Sequence, residues 1–452
     1  MKGRFGFSIL GLIIALILAS CSTTKVAIRA STNQQEIVQP ESSLYTILSS
    51  IEGVTEIKIL KPEGHFTEHF ELWFEQKTDP ANAHSSTFKQ RVLLAHTSND
   101  APVIVELQGY KIWSSKAGEL ATLFKANQIT IEHRYFENSR PRDSIPWETL
   151  TVSNAAVDQH TIIEKLKKAL YSSNKFISTG ISKGGQATMI HRSFYPEDVD
   201  ASVCYVAPLN FEREDPRIWE FLKTVGTEEQ RQQIIDFQLR CLRNKPSLLK
   251  GLEKIAVEQN YTWDFSTEVA LEYYILEYSF AFWQWGSYGF DQIPDETATA
   301  EEMLLHVLSV SGISFFESSG VELQRPFFYA AMSEMGMYNY DTQSFMKYLS
   351  QKSYNFEFTV PGFLLKKYDV NSMKKVNDFI QNSATNMLFI YGELDTWSAT
   401  AVNLSDQAIA RGLVKYVKKD GSHSTRIRSF DSVKQKEIIS VIEKWIGVTT
   451  DR

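Results

Sequence analysis

Cysteine is nearly missing from this chain, with three in 452 residues. That is too few for a disulfide scaffold, and a chain this long buries enough apolar surface to fold without covalent staples. Phosphate-binding patterns are absent too. There is no G-x-x-x-x-G-K-[ST] and no G-x-G-x-x-G, so nucleotide binding has no support. Positive charge is not concentrated anywhere: 47 basic residues face 54 acidic ones, and no basic block exceeds a few residues. Nucleic acid is not an expected partner. Repeats and low-complexity segments are lacking, and 22 Gly with 13 Pro exclude a collagen-like or disordered chain. What is plentiful is aromatic: 9 Trp, 19 Tyr and 28 Phe.

One apolar run stands at the N-terminus. Lys2 and Arg4 precede an apolar stretch from Phe5 to Ala19, followed by Ser20-Cys21. The run is shorter than the roughly 20 residues of a spanning helix. A basic start, a short apolar core and small residues describe a secretory signal. Leu18-Ala19-Ser20-Cys21 looks like a bacterial lipobox, so residues 1–20 are expected to be a lipoprotein signal peptide, with Cys21 lipidated. An ordinary signal peptide or a short anchor is the alternative. Residues 21–42 then read as a polar tether. Ser22 and Thr23 carry no Asp-type inner-membrane retention signal, which favours the outer membrane of a bacterial cell envelope.

Beyond the tether, runs at 66–76, 88–96, 103–107, 129–131, 175–179 and 201–206 read as strands. Helical patterns at 116–127, at 153–170 with Ser153 as its cap, and from 185 to 195 separate the later ones. This alternation predicts a mostly parallel sheet covered by helices. It stops at 208–380, where helical stretches (228–242, 266–283, 300–308) carry many of the aromatics, and resumes with strand 387–391, helix 399–411, strand 414–417 and helix 433–446. The expectation is an α/β domain, 43–207 plus 381–452, interrupted between its sixth and seventh strands by a helical cap, 208–380.

Gly180-Ile181-Ser182-Lys183-Gly184 is the only G-x-S-x-G, and it lies between an expected strand and an expected helix. In that context the pattern is a nucleophile elbow, with Ser182 presented on a strained turn between glycines that let backbone approach. A serine needs a base and an orienting acid, which in this class follow in the order Ser, Asp or Glu, His. Asp395 follows strand 387–391 and His423 follows strand 414–417, both past carboxyl ends. Glu393 and Asp420 are competing acids; His191 and His306 read as packing or surface residues. The oxyanion requires two N–H donors, expected from the amide of Lys183 and from the turn Gln108-Gly109-Tyr110, with Tyr110 preferred. The Lys183 side chain is expected to face solvent or bond a nearby carbonyl.

Ile131-Glu132-His133-Arg134-Tyr135-Phe136-Glu137-Asn138-Ser139 resembles the E-H-R-Y-[FY]-x-x-S segment of secreted serine peptidases related to prolyl carboxypeptidase and dipeptidyl peptidase II. Together with GISKGG at 180–185 and YGELDTWS at 391–398, it looks most like the bacterial tripeptidyl aminopeptidases of peptidase family S37. The resemblance runs from about residue 60 to the C-terminus. It implies an α/β-hydrolase domain with a helical cap and cleavage of oligopeptides near a free N-terminus. Such an enzyme holds the substrate ammonium with a carboxylate. Glu334, in a segment resembling a T-E-x-G stretch of related prolyl peptidases, is one candidate; Glu132 and Glu106 are others. Cap aromatics would wall the pocket and favour proline or another apolar residue at the cleavage position.

His65-x-x-x-His69 has zinc-like spacing but neither the helix nor the neighbouring glutamate, so no metal and no cofactor are expected. Cys204 and Cys241 read as buried free thiols, with a disulfide as the alternative. The functional expectation is a lipid-anchored serine exopeptidase with Ser182, His423 and Asp395 as its triad. An esterase or lipase with the same triad and a non-catalytic envelope-binding protein are the other readings.

Overall fold

The computed structural model of the chain describes residues 42–450. The signal segment, Cys21 and nearly all of the tether lie outside the described residues. No described helix is long and apolar enough to cross a membrane.

The frame is a nine-stranded sheet, β1 (Val54–Leu60), β2 (Glu68–Lys77), β3 (Thr87–His96), β4 (Val103–Leu107), β5 (Asn127–Ile131), β6 (Phe176–Ile181), β7 (Ala201–Tyr205), β8 (Met387–Gly392) and β9 (Val414–Lys418). Their order is β1-β2-β3-β5-β4-β6-β7-β8-β9. β1 to β3 and the β3–β5 pair run antiparallel; every pair from β5 through β4 to β9 is parallel. The central parallel strands are buried on both faces, which explains continuous apolar runs such as MLFIYG and ASVCY.

Helices cover both faces. On one lie α1 (Ser43–Ser49), α3 (Val152–Leu170) and α4 (Lys183–Phe194), the first two packing Leu48, Ile162 and Leu166 against Phe70, Val92 and Val105. On the other lie α2 (Glu119–Phe124) and the C-terminal α13 (Ser432–Ile446), whose Ile438 and Ile442 meet Val203, Leu388 and Ile390. α3 is capped by Thr151, whose hydroxyl accepts from the Asn154 amide, rather than by Ser153, which lies inside the helix.

Between β7 and β8 the chain makes α5 (Arg217–Leu222), α6 (Glu228–Arg243), α7 (Lys245–Gln259), α8 (Thr267–Trp285), α9 (Ala300–Ser311), α10 (Ser318–Ala330) and α11 (Ser372–Asn382). Counted without the edge strand β1, which the hydropathy pattern did not mark, this is the expected interval between sixth and seventh strands. α8 is its axis. It is apolar all round and buried along most of its length, as a helix surrounded by others must be. Ser266 caps its start, and Gly286 in the left-handed region ends it. The aromatic excess packs around it, and this cluster continues into Phe88, Tyr135 and Trp397 of the sheet side. Residues 43–450 accordingly pack as one compact unit. α11, although mostly inside 208–380, layers on the sheet with α4: Met373, Val376 and Ile380 meet Met189, Cys204 and Phe389. The helix expected at 399–411 is broken into a 3-10 turn, Thr396–Thr400, and a short α12 (Asp406–Ala410). Cys204 and Cys241 are buried, free thiols in separate apolar clusters.

Candidate active site

The β6–α4 junction concentrates the strain in one residue. Ser182 has φ +57°, a conformation L-residues avoid at a cost of about 1–3 kcal/mol. Its amide donates to the Tyr205 carbonyl of β7, which holds the turn to the sheet. Glycine is required beside it. A Cβ on Gly180 would stand 2.1 Å from the Gly184 carbonyl oxygen, and one on Gly184 would stand 2.6 Å from that of Leu107. Only bare backbone lets strand, turn and helix close this tightly.

Two further strand ends bring the partners. Asp395, fully buried, begins the 3-10 turn after β8; its Oδ1 accepts from the Trp397 amide. Its Oδ2 lies 2.7 Å from His423 Nδ1, in the loop after β9. A carboxylate only accepts, so Nδ1 carries the proton and Nε2 keeps its lone pair. The His423 amide donates to the Gln284 carbonyl of α8, and the Trp285 ring stands edge-on to the imidazole at 5.4 Å between centroids. Glu393, the competing acid, is exposed and accepts from the Asp420 amide.

Ser182 and His423 line one cavity of about 680 Å³, within the range of small-ligand sites. Lys183 and Tyr110 line it too. As the first residue of α4, Lys183 has an amide without an intrahelical acceptor. The turn after β4 is pressed onto it: a Cβ on Gly109 would meet the Lys183 carbonyl carbon at 2.5 Å. The Tyr110 hydroxyl is buried beside Ser182, and burial raises its pKa. The Lys183 side chain does not face solvent. It is buried, donates to the Gly109 carbonyl oxygen at 2.7 Å, and lies under the rings of Phe136, Tyr110 and Phe327. Desolvation lowers its pKa to about 7.

Of the expected ammonium ligands, the structure brings only Glu106 into the cavity, where it bonds Gln108 and burial raises its pKa. Glu132 and Glu334 are not among the residues that line it. Glu132 is fully buried and accepts from the Ser139 hydroxyl and the Ile112 amide, tying two loops together. Glu334 accepts from the Val152 amide at the start of α3, where a carboxylate complements the helix dipole, and from Ser372. The rest of the E-H-R-Y-F segment is scaffold as well. Buried Arg134 forks onto Asp158 at 2.6 and 2.9 Å and caps the carbonyls of Thr78 and Thr149.

Sequence reasoning missed Glu277. It projects from α8 into the cavity, 3% exposed, and accepts from the Tyr338 and Tyr340 hydroxyls. Burial pushes its pKa up to about 8. The available signal was a lone carboxylate in the apolar run Tyr273–Trp283. His65 bonds the Ala126 carbonyl, and no group of potential metal ligands occurs among the described residues.

A strand order that reads 1-2-4-3-5-6-7-8 once β1 is set aside, with a serine elbow and an acid–histidine pair after later strands, defines a serine hydrolase of the α/β-hydrolase fold. Among solved structures, the chain resembles a proline iminopeptidase from Mycobacterium smegmatis (14% identity, 87% of this chain and 100% of that one, TM-score 0.38) and an α/β hydrolase, GrgF, from a Penicillium species (10% identity, 84% and 99%, TM-score 0.38). A relative in sequence is the prolyl tri/tetrapeptidyl aminopeptidase of Streptomyces mobaraensis, 27% identical over 93% of this chain and 88% of that protein. The PS-10 peptidase S37 family matches residues 42–452, and the chain belongs to that family of serine peptidases.

Proposed function

We propose that the protein is a tripeptidyl aminopeptidase-like exopeptidase that releases short peptides from free N-termini. In this reading Ser182 attacks the scissile carbonyl while His423 Nε2 takes its proton and later returns it to the leaving amine. Asp395 keeps His423 in the tautomer this requires and stabilises the imidazolium. The amides of Lys183 and Tyr110 receive the oxyanion. Water then cleaves the acyl-enzyme by the same steps in reverse order.

The observation that carries the proposal is the shared cavity: serine and histidine at one part of its wall, two carboxylates, Glu106 and Glu277, at others. A peptide ammonium needs such a carboxylate, whereas a simple ester does not. Aromatic walls that include Phe280, Phe327 and Trp397 suit proline or another apolar residue at the cleaved position.

Chromogenic tripeptides with free and acetylated N-termini test this directly. The free form is expected to be cleaved at least tenfold more efficiently; equal rates would sink the exopeptidase reading. Fluorophosphonate labelling should disappear in Ser182→Ala, and persistence of the label would remove Ser182 from the role. The Cys21 lipobox supports a lipid anchor in a bacterial envelope, outer membrane favoured. Incorporation of radiolabelled fatty acid, lost in Cys21→Ser, is the outcome expected; an unlabelled wild-type chain would end that proposal.

A further inference from the structure

Lys183 carries a buried amino group that the triad does not use. Among the described residues no carboxylate pairs with its Nζ: desolvation alone shifts it, and the titratable groups facing it are His133, which burial first and Lys183 second hold well below the ordinary histidine value, and Tyr110. Its hydrogen-bond acceptor is the Gly109 carbonyl oxygen, at 2.7 Å. That carbonyl belongs to the peptide whose N–H is that of Tyr110. In a trans peptide the two point in opposite directions, so fixing one aims the other.

The peptides at the two ends of the turn are held by backbone bonds. The Gln108 amide donates to the Ile131 carbonyl, and the Tyr110 carbonyl accepts from the His133 amide. Among the described residues the Tyr110 amide donates to no other group. The 109–110 peptide is held instead by a side chain, and that side chain belongs to the residue whose own amide is the other proposed oxyanion donor.

We propose that Lys183 is a positioning residue of the oxyanion hole: its ammonium holds and polarises the 109–110 peptide so that the Tyr110 N–H stays aimed at the reacting carbonyl. The aromatic cage of Phe136, Tyr110 and Phe327 keeps the ammonium on that carbonyl, through cation–π attraction and exclusion of water. A Lys⁺ donor also strengthens the partial positive charge on the opposing N–H, since hydrogen bonds in series polarise one another. The inference rests on the triad and oxyanion reading above.

Lys183→Met keeps the stem and removes the donor. Loss of one oxyanion donor costs about 100-fold or more in kcat, and a fall of that order is expected with KM within about threefold of wild type. A peptide boronate, which fills the oxyanion hole through a boron oxygen, should weaken by the same factor, while inhibition by the released tripeptide product stays unchanged. A kcat within threefold of wild type would overturn the proposal, as would parallel weakening of boronate and product. If Lys183→Met does not fold, Lys183→Ala assayed with propylamine carries the test. A rise in kcat with the amine but not with equal sodium chloride supports the proposal, and no rise overturns it. Persistent labelling of Ser182→Ala would instead break the triad reading, so the two failures are distinguishable.

Discussion

Glu277 makes the folded state sensitive to pH in a direction opposite to most surface carboxylates. Its ordinary value is 4.5, and burial raises it to about 8, with the two tyrosine hydroxyls opposing the rise only in part. A carboxyl whose folded pKa is raised stabilises the fold fully below the unfolded value and loses that contribution as pH rises through the folded one. The shift is about 3.5 units, and each unit is 1.36 kcal/mol, so native stability falls by about 5 kcal/mol between pH 4.5 and pH 8 on account of this group. At pH 7 about 3 kcal/mol of that is already lost. Glu277→Gln removes the ionisation and leaves an amide oxygen to accept from Tyr338 or Tyr340. Urea unfolding of wild type and variant, repeated from pH 5 to pH 9, should show the variant's relative stability climbing by several kcal/mol and levelling above pH 8. A difference that stays flat across that range would refute the reasoning, because a Glu277 that ionises as readily in the folded chain as in the unfolded one has no such linkage. The same variant should lose affinity for free-N-terminus peptides and not for acetylated ones, since an ammonium ligand must be able to ionise when substrate arrives.

Asp395→Asn should lower kcat by about 10⁴-fold without unfolding the protein, because the amide can present an N–H to Nδ1 and select the wrong tautomer; Glu393→Gln, at an exposed side chain, should leave the rate unchanged. Gly180→Ala places a Cβ 2.1 Å from the Gly184 carbonyl oxygen and should abolish activity and soluble expression, whereas Gly362→Ala, with nothing within 4 Å, should leave the melting temperature unmoved. Asp158→Asn strips the buried Arg134 of its anionic partner and should cost about 3–5 kcal/mol in urea unfolding. Cys204 and Cys241, buried with raised thiol pKa values, should react with a thiol reagent only after unfolding.

Local chemistry made much of this protein legible before any coordinates. β2 to β9 and α8 follow from apolar runs and their bounding turns. The elbow announces itself because strand, Gly-x-Ser-x-Gly and helix occur in that order, and the acid and histidine follow at later strand ends. Segments that solvate one face, or that tertiary packing rescues, were not legible. β1 is an edge strand with an exposed Ile59 and an irregular register at Val54. α7 buries only Leu248 and Leu252, and α10 runs through Pro326, which ordinarily ends a helix.

The sequence by itself determined the class of chemistry, since a serine on a glycine-flanked elbow and an acid–histidine pair are short-range patterns tied to strand ends. The roles of the remaining charges were decided by tertiary structure alone. Glu132 and Glu334 look as available in sequence as Glu277 does, yet the first two are consumed by loop and helix-end hydrogen bonds while the third is turned into the cavity. Lys183, which local spacing left free to face water, is drawn under three rings onto the Gly109 carbonyl. Such assignments depend on which surfaces meet across more than 70 residues of chain, and no pattern of neighbours along the sequence carries that distance.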